Sequence, residues 1–322
     1  MNHNGFQDSS RTDPSRTVNS TNPWLLVMMV DDSHSMSADW GGLEMSMSEL
    51  VEMAINRTLY DMGLEYCLQE TEVRDRIHLK VLVYRADGEV VDPMPNGSKA
   101  TYHKAPGEDG WVQNYHDTMS YSHQSVSSEV PRWVILSPRG KTPMLEAFGQ
   151  AREVVQQHVA EYPKSFPPMV LNISDGEPTD CGEPVNWDLI SEVCDSIRSL
   201  GSDGAEPIIC NVHLDARGRN EPTLYPAEPP ILDNLESGLW HISSEVPRSL
   251  EEFLPAEVES GQGGRRRMFV YNSDLPTFSD FLEFCTSRTN RTKRSTPSFF
   301  ARSIDTDEDE STFIDAEYTE EE

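Results

Sequence analysis

Three stretches of this chain are apolar at almost every position: Trp24–Val30, Met169–Ile173 and Pro207–Leu214. A strand with one wet face alternates apolar and polar residues. A continuous apolar run predicts a strand covered on both faces, as in a parallel sheet sandwiched by helices. Ile77–Tyr84 reads as a further strand. Between the strands the apolar spacing turns helical. Leu43, Met47, Leu50, Val51, Ala54, Ile55, Leu59 and Met62 form one stripe. Thr142 opens a second helix with Pro143 at its first position, a favoured start. Ile190, Val193, Cys194, Ile197 and Leu200 mark a third. This order predicts an α/β fold with a mainly parallel sheet covered by helices on both faces.

The remaining segments are weaker. Ala86–Val91 reads as a turn and an edge strand, Trp133–Leu136 as a short strand, and Leu239–Ser243 as one more strand. Ser249–Leu254 reads as a helix, and Asp274 as the cap of a helix carrying Phe278, Phe281, Leu282 and Cys285. Residues 92–131, rich in Gly, Pro, Ser, His and aromatic residues, read as an insertion with room for its own hairpin. The expected organisation is a polar, disordered arm (1–22), one α/β domain (23–287, with the insertion) and a disordered basic-then-acidic tail (288–322). Within that tail, residues 303–322 hold ten acids and no base.

Charge narrows the partners. The 322 residues carry 26 Lys and Arg against 55 Asp and Glu, a net −29. Such a surface repels nucleic-acid backbones and anionic lipid, so neither is expected as a partner. The apolar runs are too short to span a bilayer, and residues 1–20 lack the apolar segment of a signal peptide. The five cysteines form no C-x-x-C pair, which predicts reduced, buried thiols and a cytoplasmic location.

The residues that carry chemistry follow the strands. Asp31, Ser33 and Ser35 leave the first strand at alternate positions. Thr142 sits at a loop–helix junction, and Asp175 follows the Met169–Ile173 strand in Ser-Asp-Gly-Glu-Pro-Thr-Asp. Open α/β sheets bind ligands at the carboxyl ends of their strands. Two carboxylates and three hydroxyls there suit a hard cation such as Mg²⁺. Asp180 reads as a turn or supporting residue, and Arg265–Arg267 as a solvated loop.

Asp31-x-Ser33-x-Ser35-Met36, then Thr142, then Asp175-Gly176 resemble the metal-ion-dependent adhesion site (MIDAS) of von Willebrand factor A (VWA) domains. The resemblance covers about residues 23–216. It implies a doubly wound, Rossmann-like VWA fold with a mainly parallel sheet and one antiparallel edge strand. It also implies a Mg²⁺ or Mn²⁺ held by Asp31, Ser33, Ser35, Thr142 and Asp175, directly or through water. The Asp-Gly-Glu-Pro-Thr-Asp loop and the Leu-Trp-His-Ile-Ser stretch look most like the cytosolic bacterial TerY-like group. That likeness implies a Mg²⁺-dependent protein-interaction module in stress-response or conflict signalling. The metal would capture an acidic residue of a partner, such as an associated Ser/Thr kinase or PP2C-type phosphatase. Asp32 and His34 depart from the family's usual residues.

Two other readings stay open. One is a metal-dependent hydrolase. Against it, the chain has no G-x-S-x-G elbow, P-loop or H-E-x-x-H, so no enzyme is expected. The other is a metal-independent scaffold acting through the insertion and the acidic tail.

Overall fold

The computed structural model describes residues 18–286, apart from 41, 43–44, 70–71, 87, 92–101, 104–111, 114–116, 124–125, 202–205, 217–220, 230–233, 252, 256–257 and 259–264. The expectations for most of the 1–22 arm and for the 288–322 tail lie outside the described residues. So do those for the insertion's side chains.

The apolar runs form strands as their continuity predicts. Besides two small ribbons of two-residue strands, the strands are β1 (Trp24–Asp31), β2 (Ile77–Arg85), β3 (Glu89–Val91), β4 (Asp117–His123), β5 (Val126–Arg132), β6 (Met169–Ser174), β7 (Ile208–Leu214), β8 (Thr223–Leu224) and β9 (Phe269–Ser273). A seven-stranded sheet runs β8-β9-β7-β6-β1-β2-β3. The five inner strands are parallel. Every residue of β1, β6 and β7 is buried. Both edge strands are antiparallel, β3 on β2 and β8 on β9, where one such edge was expected. At three and two residues they give the sheet short edges with little backbone to offer a neighbour.

Five main helices cover the sheet: α1 (Met47–Met62), α2 (Met144–Glu161), α3 (Trp187–Arg198), α4 (Asn234–Ile242) and α5 (Leu275–Thr286). Alternate β1 residues feed opposite layers. Trp24, Leu26, Met28 and Val30 pack with α1 and α5. Leu25, Val27 and Met29 pack with α2, α3 and α4. Ser46 and Glu49 form a capping box that starts α1. The Asp274 carboxylate accepts the Thr277 N–H at 2.9 Å, as its capping position predicts.

Two expected strands take other forms. Leu239–Ser243 lies mostly in α4, where a helical spacing buries Leu235, Leu239 and Ile242 against the sheet. Trp133–Leu136 joins no strand; its partners are side chains of α1. The Trp133 and Val134 N–H groups donate to Asn56 Oδ1 at 2.8 and 2.9 Å, and Asn56 Nδ2 donates to the Val134 carbonyl at 2.8 Å. One turn earlier, Glu52 accepts the Leu136 N–H at 2.8 Å and Arg132 Nε at 2.5 Å. Both α1 residues are buried. Their i, i+4 spacing places them one above the other on the helix, as a ladder for the passing chain.

The insertion contains a ribbon, β4 paired antiparallel with β5 from Asp117↔Arg132 to His123↔Val126. It forms a separate two-stranded sheet. Its exit at Arg132 runs directly into the segment held by Glu52 and Asn56.

Asn56→Ala strands two amide N–H groups and one carbonyl in the core. At about 1–3 kcal/mol for each buried orphan, it should destabilise the fold by roughly 3 kcal/mol or more. Urea unfolding checks this; a loss below about 1 kcal/mol would show that the ladder contributes little.

Candidate functional site

The connections leave the sheet in opposite directions at β1 and β6. After β1 the chain passes to β2, and after β6 it passes to β7. Their carboxyl ends are neighbours, with Val30 opposite Ile173. The loops beyond them therefore border one crevice, the usual ligand position in such sheets.

Asp31, Ser33, Ser35 and Asp175 meet there in a closed set of hydrogen bonds. Asp31 Oδ1 accepts the Ser33 N–H at 2.9 Å. Ser33 Oγ and Ser35 Oγ are 3.0 Å apart, and Ser35 Oγ donates to Asp175 Oδ1 at 2.9 Å. Asp31 Oδ2 accepts the Ser174 hydroxyl at 2.7 Å. Asp31 and Ser33 are buried and Ser35 is exposed. Thr142 is buried, and its backbone is bound to the loop that carries Asp175. Its N–H donates to Thr179 Oγ1 at 3.0 Å, and its carbonyl accepts the Thr179 N–H at 2.9 Å.

Two supporting residues, Asp32 and Ser174, were undervalued in the sequence, and Asp180 holds the supporting place expected of it. Asp32 is fully buried, accepts Arg85 at 2.5 Å and accepts the Ser137 N–H at 2.9 Å. It continues the ladder of Glu52 and Asn56 one step further along the same segment. Asp180 accepts the Leu145 and Glu146 N–H groups at 3.2 and 2.9 Å. It thus caps α2, whose own cap position holds Pro143 and offers no side-chain acceptor. Ser174 was visible in Ser-Asp-Gly, but nothing in the sequence aimed it at Asp31. Gly140 closes the region. Its φ of +69° suits glycine, and an added Cβ would lie 2.4 Å from Ala86 Cα. The Gly140 carbonyl accepts the His34 N–H at 3.2 Å.

Below the crevice a buried polar row crosses the sheet. Tyr84 donates to Asn172 at 2.8 Å, Asn172 to Asn211 at 3.0 Å, and Asn211 to Ser243 at 2.8 Å. The sequence signal was an asparagine at the fourth position of both β6 and β7.

Burial is the main cause of the site's electrostatics. It raises the Asp31 carboxyl to about 7, with the Asp175 charge adding to the rise and bonds from Ser174 and Ser33 opposing it. Burial also raises Asp175, against the Ser35 hydrogen bond. A carboxyl at about 7 is part neutral under ordinary conditions, because burial disfavours its charge and the neighbouring Asp175 carboxylate adds to that.

No protein-family profile matches the chain, and no curated protein matches it. Among solved structures, the pilus adhesin SpaC from Lactobacillus rhamnosus GG is similar at a TM-score of 0.42 and 11% identity. The match covers 82% of this chain and 30% of the adhesin. The chain therefore spans about a third of that protein, and so weak a likeness carries no argument about function.

These findings correct the metal expectation. Among the described residues, no group of three or more His, Cys, Asp or Glu side chains gathers to hold a metal ion. The crevice brings together two carboxylates. Three of their oxygens already accept Ser33, Ser174 and Ser35. The Mg²⁺ or Mn²⁺ centre on Asp31, Ser33, Ser35, Thr142 and Asp175 is not sustained. Neither is the VWA and MIDAS identification, nor the TerY-like stress-signalling role that rested on it.

A folded-state value near 7 lies above the ordinary 3.8, so folding favours protonated Asp31. That stabilisation is complete below about pH 3.8 and is lost as pH rises through 7. Asp31→Asn mimics the neutral form, and Ser174 can turn to the Gly176 carbonyl, which already lies at 3.2 Å. The variant should gain roughly 2 kcal/mol or more over the parent at pH 8, a smaller part of that at pH 5 and almost nothing at about pH 3.5, measured by urea unfolding in chelator. A loss at pH 8 would mean that the parent's carboxylate charge is compensated.

Proposed function

We propose that this chain is a non-catalytic, metal-independent protein-binding scaffold whose α/β core presents the 92–131 insertion. The supporting observation is the anchorage of the ribbon. Glu52, Asn56 and Asp32 are buried polar groups, and each bonds to the backbone that leaves β5. Buried polar groups stabilise only when they are fully paired. Here their pairing fixes the direction of a ribbon that forms no part of the main sheet.

The crevice residues have a different role in this reading. Asp31, Ser33, Ser35, Thr142 and Asp175 latch the loops after β1 and β6 to the start of α2. Without a cation, an acidic partner residue would meet Asp31 and Asp175 with like charge. The partner contact is therefore assigned to the ribbon. Among the described residues the crevice hydroxyls are occupied: Ser33 and Ser35 bond to each other, and Ser35 donates to the Asp175 carboxylate. The five cysteines are all free and buried, which supports a reducing compartment. No helix among the described residues is long and apolar enough to cross a membrane.

The test is quantitative affinity capture with the full chain and with a variant whose residues 117–131 are replaced by a Gly/Ser linker. Both are run with and without EDTA, and circular dichroism checks the core. The expected result is a set of captured proteins that is lost with the ribbon and unaffected by chelation. Capture that survives ribbon replacement, or that EDTA abolishes, would contradict the proposal.

A further inference from the structure

At the opposite end of the sheet, where the parallel strands begin, two histidines meet edge to face. His78 is the second residue of β2, and His158 lies in the last turn of α2. Their ring centroids are 5.3 Å apart and the rings stand at 84°. The Tyr162 ring, just past α2, lies 5.1 Å from each of them. His158 is buried, and its Nε2 is 3.2 Å from the hydroxyl of Ser165, also buried. Histidine is the side chain whose ordinary titration falls between about pH 5 and 8, so its burial at a junction makes that junction answer to acid.

The junction ties several segments together. The Tyr162 N–H donates to the His158 carbonyl at 2.7 Å, and the Ser165 N–H donates to the Tyr162 carbonyl at 3.0 Å. Trp24, the first residue of β1, donates its N–H to the Arg76 carbonyl at 2.9 Å and its indole N–H to the Pro167 carbonyl at 3.2 Å. The Ile208 N–H at the start of β7 donates to the Pro168 carbonyl at 2.8 Å. The turn 162–168 therefore joins the end of α2 to the beginnings of β1 and β7. His158 meets that turn through Ser165.

The surroundings of His158 disfavour a cation. From β2 and its lead-in come His78 and Asp75, whose Oδ1 is 3.8 Å from His78 Nε2. Lys80 follows His78 on the same face of that strand. From α2 comes Glu161, and from the entry to β1 the Pro23 carbonyl. Burial is the largest influence on His158, and charge on His78 acts in the same sense. Together they lower it from 6.5 to about 4, against the Pro23 carbonyl and Glu161. An imidazole released to water takes up its proton near 6.5, whereas His158 in place resists to about 4. The stability this gives the closed junction is complete above about 6.5 and is lost progressively as pH falls to about 4.

We infer that His158 and His78 form an acid-sensitive latch, and that acid opens the seam between the end of α2, the turn 162–168 and the start of β1 while the centre of the sheet stays folded. The opened seam exposes the His158 ring, which then binds a proton and holds the seam open. The latch lies at the end of the sheet away from the crevice and does not rest on the scaffold reading.

The test is native-state hydrogen exchange of the full chain by NMR at about pH 7 and about pH 4.5, with each rate referred to its intrinsic value. Protection of the Trp24, Tyr162 and Ser165 amides should fall about 50-fold between the two, the ratio that 6.5 and 4 give. At the lower pH these amides should be less protected than those of Val30 and Ile173 in the centre of the sheet. His158→Gln keeps a polar side chain that does not titrate. It should hold the fall below about threefold, with circular dichroism confirming the fold. The His158 ring of the parent is titrated in parallel and needs no variant. Its midpoint should lie below about 5, and His78→Gln should raise it by removing the opposing charge. A folded-state midpoint near 6.5, an unchanged midpoint in His78→Gln, a fall that persists in His158→Gln, or seam and central amides equally protected at about pH 4.5 would overturn the inference.

Discussion

A passing chain held by helix side chains, where a strand was expected, organises this molecule. Between β5 and α2 the backbone passes α1 without forming a strand, burying Trp133, Val134 and Leu136 and exposing Ile135 and Ser137. Its polar groups must still be matched, since a buried amide without a partner costs about as much as the fold can spare. Asn56, Glu52 and Asp32 meet that demand in sequence along the segment. The same contacts set where Gly140 approaches Ala86, and hence where Thr142 and α2 begin. The ribbon's exit direction and the position of the crevice follow from one ladder.

The crevice at the strand tips is self-contained. Hydroxyls and backbone amides that could have faced a ligand face Asp31 and Asp175 instead. Burial raises both carboxyl groups, and the Asp175 charge raises Asp31 further, so the pair is strained rather than idle. The strain is tolerable because the surrounding loops are fixed by other bonds, among them the Thr142–Thr179 pair and the Asp180 cap. On the scaffold reading proposed above, partner binding falls to the β4–β5 ribbon, which forms no part of the main sheet.

Much of the fold was legible because burial on two faces leaves a plain mark. The runs at Trp24, Met169 and Pro207 could only be inner strands, the α1 stripe had helical spacing, and Asp274 marked the start of α5. The errors share a cause. Trp133–Leu136 is apolar and extended, so its composition matches a strand; its partner is a helix eighty residues earlier, which periodicity cannot reveal. Leu239–Ser243 is too short for its period to separate strand from helix. The residues of the crevice were found because they follow strand ends. Their chemistry was misjudged because a list of oxygens does not say whether those oxygens already bond to one another. Ser174, Asn172 and Asn211 sat inside apolar runs and read as noise.

The most direct measurement is native-state hydrogen exchange of the Trp133, Val134, Leu136 and Ser137 amides, with chelator present throughout. These four donate to Asn56, Glu52 and Asp32. If the ladder fixes the ribbon as described, they exchange only through global unfolding, with the protection of β1 and β6 amides. Exchange at loop rates, or protection that arises only when Mg²⁺ is restored, would contradict the account.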